Sequence, residues 1–298
     1  MAERLTLGGV EGGGTKFDCI VGAGPDDIAD STRIVTTTGE ETLAAVADFF
    51  ADKDVDALGV ATFGPLDLDQ SSLGFGHVIE SPKPGWSGVD VAGSLHAALG
   101  VPVAIDTDVN GAALGEARWG AGSGFDPLVY VTVGTGIGGG GVVNGAPMHG
   151  RMHPEMGHIR VPRHPDDEFV GNCGWHGDCL EGLAAGPAIA ERWGKPAEDL
   201  GDDREAAVLL ESHYLGVAMA SYTLILSPER IILGGGVLGI PGLLEATRGV
   251  MVESLGGYLA SVPLDDRATD YLVAPGLGNR SGVLGGLVLA ESTAGSPR

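Results

Sequence analysis

Residues 128–144 have the sequence LVYVTVGTGIGGGGVVN, in which an apolar strand, a glycine-rich turn and a second apolar strand follow one another. Residues 5–21, LTLGGVEGGGTKFDCIV, have the same plan, and their glycine turn begins about 120 residues earlier. Repetition of one unit along a chain indicates an internal duplication. The sequence therefore predicts an α/β fold with two similar halves and a cleft between them.

Either glycine turn has two interpretations. Glycine allows the main chain to present several N–H groups to a phosphate at close range. A plain β-hairpin needs glycine in its turn as well. One turn on its own does not distinguish a phosphate site from a hairpin.

Asp108 follows an apolar strand over residues 101–105 and begins a helix that runs to Trp119. Aspartate is a favoured N-cap residue, which is the structural interpretation of this position. A carboxylate at the end of a strand can also serve as a base aimed into a cleft. The local sequence leaves both interpretations open.

Residues 153–181, HPEMGHIRVPRHPDDEFVGNCGWHGDCLE, contain the array C-x₂-H-x₂-C formed by Cys173, His176 and Cys179. His158, fifteen residues upstream of Cys173, is a possible fourth ligand. Thiolate and imidazole are preferred zinc ligands, and four of them close a tetrahedral structural site. The alternatives are a Cys173–Cys179 disulfide or two unused thiols. The spacing and the expected cytosolic setting favour zinc.

Glu155 lies three residues before His158, so a metal that anchors the histidine also places a carboxylate beside the metal loop. A metal-bound imidazole still offers its other ring N–H to a hydroxyl-bearing partner. This part of the chain is therefore expected to hold a ligand.

The composition limits the classes of partner. The chain has 298 residues, enough for two domains, and a formal net charge of −23. Such a negative field repels nucleic acid and anionic membrane surfaces, so we expect neither as a partner. The first residues, MAERLTL, lack the apolar run of a signal peptide, and eight glycines interrupt the long uncharged segment 127–150. We therefore expect a soluble, cytoplasmic protein.

The remaining elements define two expected domains. We predict a small N-terminal α/β domain over residues 1–110 and a large C-terminal α/β domain over residues 111–283 that carries the zinc loop 153–181. A closing helix over residues 284–296 is expected to pack back on the first domain. Residues 231–237, IILGGGV, form a buried strand followed by a third glycine turn, and the loop 81–86, SPKPGW, presents an aromatic side chain that we expect to be exposed.

Six motifs, in this order, resemble those of the ROK family of sugar kinases and regulators, and within it the zinc-containing bacterial fructokinases. They are EGGGTK at 11–16, DTDVNGAALGE at 106–116, GTGIGGG at 134–140, HPEMGH at 153–158, CGWHGDCLE at 173–181 and IILGGGV at 231–237. The resemblance covers nearly the whole chain. It implies two ribonuclease H-like domains of the actin and hexokinase type, with ATP and sugar bound in the cleft between them.

The resemblance also implies a reaction, in which ATP phosphorylates the 6-hydroxyl of D-fructose with Mg²⁺ present. Asp108 would be the catalytic base. The sugar would be bound by Glu155, His158, Glu181 and Gly64, although Glu181 could instead have only a structural role at a helix start. Zinc would be held by His158, Cys173, His176 and Cys179. Residues implied for the nucleotide and its phosphates are Glu11, Gly13, Gly14, Thr15, Lys16, Gly134, Thr135, Gly136, Gly138, Gly234, Gly235 and Gly236.

Two residues depart from the usual family pattern. Glu11 stands where the first phosphate turn usually begins with Asp, and Thr107 stands where many aldohexose kinases carry Asn before the base. Both departures favour fructose. The alternatives are a kinase for mannose, glucose or an N-acetylhexosamine, and a sugar-sensing regulator without activity. A repressor would need a DNA-binding segment ahead of Glu11, and the negative charge argues against one. The resemblance implies a homodimer.

Overall fold

The computed structural model describes residues 5–81, 83–259 and 268–294. These residues form two five-stranded sheets and eight α-helices. The strands are β1 Leu7–Gly12, β2 Lys16–Gly24, β3 Asp27–Val35, β4 Ala57–Thr62, β5 Val103–Thr107, β6 Leu128–Val133, β7 Ile137–Val143, β8 Ala146–Pro147, β9 Arg230–Gly234 and β10 Leu272–Val273. The helices are α1 Gly39–Phe50, α2 Val91–Leu99, α3 Asp108–Trp119, α4 Leu180–Ala184, α5 Gly186–Trp193, α6 Arg204–Leu226, α7 Leu243–Leu255 and α8 Ser281–Thr293.

The first sheet has the strand order β3-β2-β1-β4-β5. β1 pairs antiparallel with β2 and parallel with β4, and β4 pairs parallel with β5. β4 is buried along its whole length, as expected of an apolar strand in the parallel part of a sheet that is covered on both faces. β3 forms an exposed edge with a polar sequence, DIADSTRIV, which discourages pairing with another chain.

The second sheet repeats this topology strand for strand. Its order is β8-β7-β6-β9-β10, with β6, β7 and β8 antiparallel and β6, β9 and β10 parallel. The glycine turn between β6 and β7 therefore occupies the same place in its sheet as the turn between β1 and β2 in the first sheet. The repeated order is the structural form of the duplication predicted from the two glycine turns.

Helices α3 and α8 pack together between the two sheets, and α8 also packs on β1 and β4. Glycines make the contact close: a Cβ added to Gly285 would lie 1.7 Å from the carbonyl oxygen of Gly111, and one added to Gly115 would lie 2.4 Å from that of Ser281. The closing helix thus lies against the first sheet. Residues 295 and 296 of its expected span lie outside the described residues, and the domain limits 1–110 and 111–283 stay a prediction.

The long helix α6 contains an apolar stretch that is buried in the core of the protein. Residues Gly201–Leu226 are long and apolar enough to cross a membrane, but 61% of their most apolar window is buried inside the structure. Met219 and Tyr222 of α6 belong to the core of the second half, together with strands β6 and β9. Packing in that core accounts for the composition of the helix.

The expectation that Trp86 is exposed was wrong. The indole is fully buried, stacks on Phe17 with ring centroids 5.4 Å apart, and donates from Nε1 to the carbonyl oxygen of Thr37 at 2.8 Å. Proline and glycine do place the surrounding loop at the surface. The aromatic ring nevertheless turns inward because burial of its large apolar area is favourable and its N–H has a partner.

Candidate active site

Asp108 lies at the junction of β5 and α3. The structure assigns the N-cap to Thr107, whose hydroxyl accepts from the main-chain N–H of Asn110 at 3.2 Å. Asp108 is the first helical residue, and its Oδ1 accepts from the N–H of Val109 at 2.9 Å. Burial raises the pKa of Asp108, and the negative charge of Glu155 raises it further. Thr107, and not Asp108, therefore caps α3. The second carboxylate oxygen of Asp108, Oδ2, can then accept a proton from a ligand.

Glu155 lies next to His153, the first residue of the motif HPEMGH, to which the resemblance assigned no role. His153 is 4% exposed, and its Nε2 accepts a hydrogen bond of 3.1 Å from the main-chain N–H of Leu66, just after β4. Its Nδ1 lies 3.4 Å from Oε1 of Glu155. A Cβ on Gly64 would lie 3.4 Å from the same imidazole, so Gly64 packs beside His153. The histidine thus joins two sequence-predicted sugar residues, Gly64 and Glu155.

The four predicted zinc ligands come together. Their ligand atoms all lie within 4.8 Å of one another. The Sγ of Cys173 lies 3.7 Å from Nδ1 of His158 and 3.7 Å from Nδ1 of His176, and the Sγ of Cys179 lies 3.6 Å from Nδ1 of His158. A tetrahedral zinc ion with the usual bond lengths separates sulfur and nitrogen ligands by about 3.6 Å. The donor set and its spacing fit zinc.

The metal loop also has suitable local geometry. Cys173 and Gly177 exchange two main-chain hydrogen bonds, of 3.0 and 2.8 Å, so a tight turn brings His176 back beside Cys173. Gly177 has a φ of +66°, which glycine adopts readily. All three cysteines, including the buried Cys19, are free thiols. The disulfide alternative is therefore not the arrangement found.

Glu181 connects the metal cluster to the second glycine turn. Its Oε2 accepts from the main-chain N–H of Ile137 at 2.9 Å, and its Oε1 lies 4.0 Å from Nε2 of His158. A Cβ on Gly136 would lie 2.7 Å from Oε2, so only glycine leaves room for this carboxylate. Because His158 faces the cysteines through Nδ1 and Glu181 through Nε2, one carboxylate connects both parts of the site.

Glu11 lies at the end of β1 and faces the start of α8, where Val283 donates its main-chain N–H to Oε2 at 3.1 Å. Burial raises the pKa of Glu11 to about 7, and the nearby charge of Asp108 contributes in the same direction. Lys16 forms an ion pair with Asp18 in the same turn. The two carboxylates Glu11 and Asp108 are thus close enough to influence each other, which is a favourable setting for a cation.

The predicted phosphate-binding residues divide into two groups. Thr15 and Thr135 are exposed, and no atom lies within 4 Å of a Cβ placed on any of three glycines, which are Gly14, Gly134 and Gly236. Gly13 is also nearly free, with only the carbonyl oxygen of Lys16 at 3.3 Å. The other glycines pack against protein: Gly138 faces Val109, Gly234 faces Pro275, and Gly235 lies on the backbone of Val133. The first group leaves space for a ligand. The glycines of the second group allow neighbouring parts of the protein to pack closely.

A second histidine missed by the motif analysis pairs with a buried carboxylate. His149 lies with Nε2 2.9 Å from Oδ2 of Asp106, a residue that is 2% exposed. Asp106 also accepts from the side chain of Asn110 at 2.8 Å and raises the pKa of His149. The motif DTDVN did contain Asp106, but nothing in the local sequence indicated its partner 43 residues away.

Comparison with known proteins agrees with this architecture. The family model described as "ROK family" matches residues 7–293. The chain is 43% identical over 297 residues to a fructokinase of Zymomonas mobilis, covering 97% of both chains. It is 40% identical over 288 residues to a fructokinase of Pediococcus pentosaceus, covering 97% of this chain and 98% of that one.

Solved structures give the same result. A ROK hexokinase from Thermus thermophilus superposes with a TM-score of 0.79 at 30% identity, covering 97% of this chain and 98% of that chain. A ROK family glucokinase from Streptomyces griseus, solved with glucose and AMPPNP, gives a TM-score of 0.73 at 26% identity, covering 96% and 99%. The predicted fold class, two ribonuclease H-like domains of the actin and hexokinase type, is confirmed. With a family model that spans all but its ends and relatives at about 40% identity over nearly its full length, the chain belongs to the ROK family.

Proposed function

We propose that the protein is an ATP-dependent fructokinase that transfers the γ-phosphoryl group of ATP to the 6-hydroxyl of D-fructose. The observation that carries the proposal is the placement of Asp108. Its carboxylate is close enough to Glu155 and Glu11 for their charges to affect it, and Thr107 caps α3 in its place. The fructokinases of Zymomonas mobilis and Pediococcus pentosaceus, both at 40% identity or above, support fructose as the acceptor.

Asp108 acts as the general base in this proposal. Phosphoryl transfer requires the acceptor hydroxyl to lose its proton as the new bond to phosphorus forms. Burial and the charge of Glu155 raise the pKa of Asp108 above its ordinary value, which increases its proton affinity. The free carboxylate oxygen takes that proton, while the oxygen bonded to Val109 keeps the side chain oriented.

Glu155, His158 and Glu181 hold the ring hydroxyls, with Gly64 at the edge of the same site. The acidic side chains accept from hydroxyl groups, and the Nε2 of His158 faces Glu181 rather than the cysteines. The sugar would lie between this group and Asp108. A hexose that presents its 6-hydroxyl to Asp108 is then held by contacts on its other side.

The open glycines of the two turns bind the phosphates through main-chain N–H groups. Gly13, Gly14 and Gly134 suit this role because a phosphate can approach where no side chain intervenes. Thr15 and Thr135 line the same turns, and Lys16 is near the first. We assign Gly136 and Gly138 to the shape of the second turn. Gly236 would lie against the adenosine, beside Gly234 and Gly235, which pack on Pro275 and Val133.

Two metal ions enter the proposal. Glu11 would hold Mg²⁺ through water, and that ion supplies charge neutralisation at the phosphates. His158, Cys173, His176 and Cys179 would hold zinc, which supplies local folding free energy to the metal loop. Zinc coordination by Cys173 and Cys179, in place of a disulfide between them, supports a reducing, cytoplasmic compartment. The homodimer stays a prediction.

The decisive experiment is a screen for sugar-dependent ADP release over ketohexoses, aldohexoses and N-acetylhexosamines. We expect the highest kcat/KM with fructose and phosphorylation at the 6-hydroxyl, which ¹³C NMR of the product identifies. A tenfold preference for glucose, mannose or an N-acetylhexosamine would assign a different acceptor. Sugar binding without ADP release from any of them would identify a non-catalytic sensor instead.

A further inference from the structure

We propose that His153 is a positioning residue that fixes the carboxylate of Glu155 for the sugar, and that it does so by bridging the two halves of the molecule. The inference rests on the proposed sugar kinase activity and extends it to a residue of the motif HPEMGH to which the resemblance assigned no role. The argument depends on the two ring nitrogens, each of which has a different partner.

The Nε2 of His153 contacts the first half of the chain. It lies 3.1 Å from the main-chain nitrogen of Leu66, which can only donate. Nε2 must therefore accept, and a neutral imidazole that accepts there carries its proton on Nδ1. Since Leu66 is 1% exposed, water does not readily replace this partner, and the ring is held in one tautomer.

The Nδ1 of His153 faces the second half of the chain. Oε1 of Glu155 lies 3.4 Å away, and the carbonyl oxygen of Pro154 lies 3.5 Å away. A donor at Nδ1 therefore points at the carboxylate proposed to bind sugar. Glu155 is exposed and otherwise has the rotational freedom of a surface carboxylate, so a buried donor on one oxygen restricts its orientation.

The segment that carries both residues is also fixed at its start. His149, four residues before His153, lies 2.9 Å from the buried carboxylate of Asp106 in β5. Segment 149–155 is thus attached to the first sheet at two places, after β4 through Leu66 and at β5 through Asp106. Asp106 is two residues from Asp108, so the same segment relates the position of Glu155 to that of the base.

Two amide substitutions separate the two contacts. His153→Gln places an acceptor near the position of Nε2 and keeps a partner for Leu66, but it has no donor at the Nδ1 position. His153→Asn places an amide N–H near Nδ1 and keeps the donor to Glu155, but it leaves the N–H of Leu66 without its acceptor. His96→Gln, at an exposed histidine whose Nδ1 contacts Val101, is the matched control.

Wild-type sugar kinase activity is measured first, and kcat, the KM for fructose and the KM for ATP are then compared among the variants. We expect His153→Gln to lose about tenfold to a hundredfold in kcat/KM for fructose, the scale of a small misplacement of a binding group. Its KM for ATP should change by less than about twofold, since the glycine turns are untouched. The loss in kcat/KM for fructose should be at least about tenfold smaller in His153→Asn than in His153→Gln. His153→Asn should nevertheless unfold at a lower temperature than His153→Gln, because the buried N–H of Leu66 loses its acceptor.

Equal losses in both variants would indicate a merely structural histidine and overturn the inference, as would wild-type kcat/KM in the Gln variant. ¹⁵N NMR of the imidazole provides a readout independent of activity: the unliganded wild type should show His153 with its proton on Nδ1. A proton on Nε2 would overturn the inference whether or not the protein phosphorylates a sugar. A wild type that is inactive toward every sugar, but shows the Nδ1 tautomer, overturns the proposed function and leaves the bridge between Leu66 and Glu155 supported.

Discussion

Glu11 and Val283 are 272 positions apart in the chain, yet the carboxylate of Glu11 accepts a 3.1 Å hydrogen bond from the main-chain N–H of Val283. The contact joins the end of β1 to the first turn of α8. A Cβ on Gly282 would lie 2.5 Å from Cδ of Glu11, so the helix leaves space for this side chain. The N-terminus of a helix stabilises a negative charge, but burial has the larger effect and raises the pKa of Glu11 to about 7. Glu11 therefore keeps its proton to a higher pH than an exposed glutamate does.

The raised pKa predicts a pH-dependent effect of Glu11→Gln on stability. A carboxyl whose folded pKa lies above its unfolded value stabilises the fold below the unfolded pKa, near 4.5, and loses that contribution as pH rises through about 7. Without magnesium, the glutamine variant should therefore gain stability relative to wild type between pH 5 and pH 8, by up to about 3 kcal/mol. Urea unfolding at both pH values measures the difference.

Glu205→Gln at the start of α6 provides the control, because it makes the same substitution at an exposed position instead of a buried one. If the difference between Glu11→Gln and wild type is constant from pH 5 to pH 8, Glu11 is not the buried carboxyl described above. Glu11→Gln should also bind MgATP more weakly than wild type, since glutamine cannot carry the negative charge proposed to hold the cation.

Asp108→Asn tests the base. The amide keeps the shape and the contact with the N–H of Val109 but accepts no proton. We expect kcat to fall by about 10²–10⁴-fold, the usual contribution of general base catalysis, while sugar and ATP affinities change little. Steady-state kinetics and calorimetric titrations make the two measurements. If the variant keeps more than half of the wild-type kcat, Asp108 is not the base and has only a structural role at the start of α3.

Cys179→Ser tests the metal. Purified wild-type protein should contain about one zinc ion per chain, the stoichiometry of a closed four-ligand site. The variant should lose that metal and most of its sugar affinity, because His158 belongs to both the cluster and the sugar site and lies 4.0 Å from Glu181, while ATP binding persists. Elemental analysis and separate sugar and nucleotide titrations distinguish these effects.

Cys19→Ala is the matched control for the metal experiment, because Cys19 is a fully buried thiol in the core of the first half. It should keep its zinc and its sugar affinity. Zinc-free wild-type protein that phosphorylates fructose at the full rate would contradict the proposed link between the metal loop and the sugar.

A buried ion network holds the middle of the metal loop. Arg192 of α5 contacts Asp167 at 3.0 Å and Glu211 of α6 at 3.0 Å. Burial raises the pKa of Glu211 well above its ordinary value, and its Oε2 has no hydrogen-bond partner among the described residues. Glu211→Gln keeps an oxygen that accepts from Arg192 and should therefore change stability little. Arg192→Met should cost about 3–5 kcal/mol, because it leaves the buried Asp167 without its charged partner. Similar losses in the two variants, measured by urea unfolding, would contradict this assignment.

The sequence predicts those parts of the site whose residues are close together in the chain. Cys173, His176 and Cys179 lie in one short array, and the structure brings them within reach of His158. Asp108 was singled out because a strand ends and a helix begins there, although the local sequence left its role open. Both signals are local. The repeated glycine turns likewise predicted two similar halves, and the structure shows these as two sheets with one topology.

Contacts between distant residues had no such signal. His153 meets Leu66 across 87 positions, and neither residue belongs to a periodic pattern that indicates the other. Strand β3 was not anticipated because its polar sequence lacks the alternation of a half-buried strand. Trp86 was misassigned because the loop residues around it favour the surface, whereas the ring finds Phe17 in the core.

The contact between α3 and α8 restricts how the protein can be engineered for heat resistance. Replacing helical glycine with alanine commonly raises stability by about 0.4–1 kcal/mol, because the unfolded chain has fewer conformations to lose. At Gly285 the added methyl would meet the backbone of Gly111, which cannot rotate aside as a side chain can. Gly249 in α7 is exposed and has no atom within 4 Å of its Cβ position, so Gly249→Ala should raise the melting temperature where Gly285→Ala prevents folding. Among the described residues, the glycines thus include some, such as Gly249, at which a larger residue is tolerated, and others, such as Gly285, at which a side chain would meet backbone.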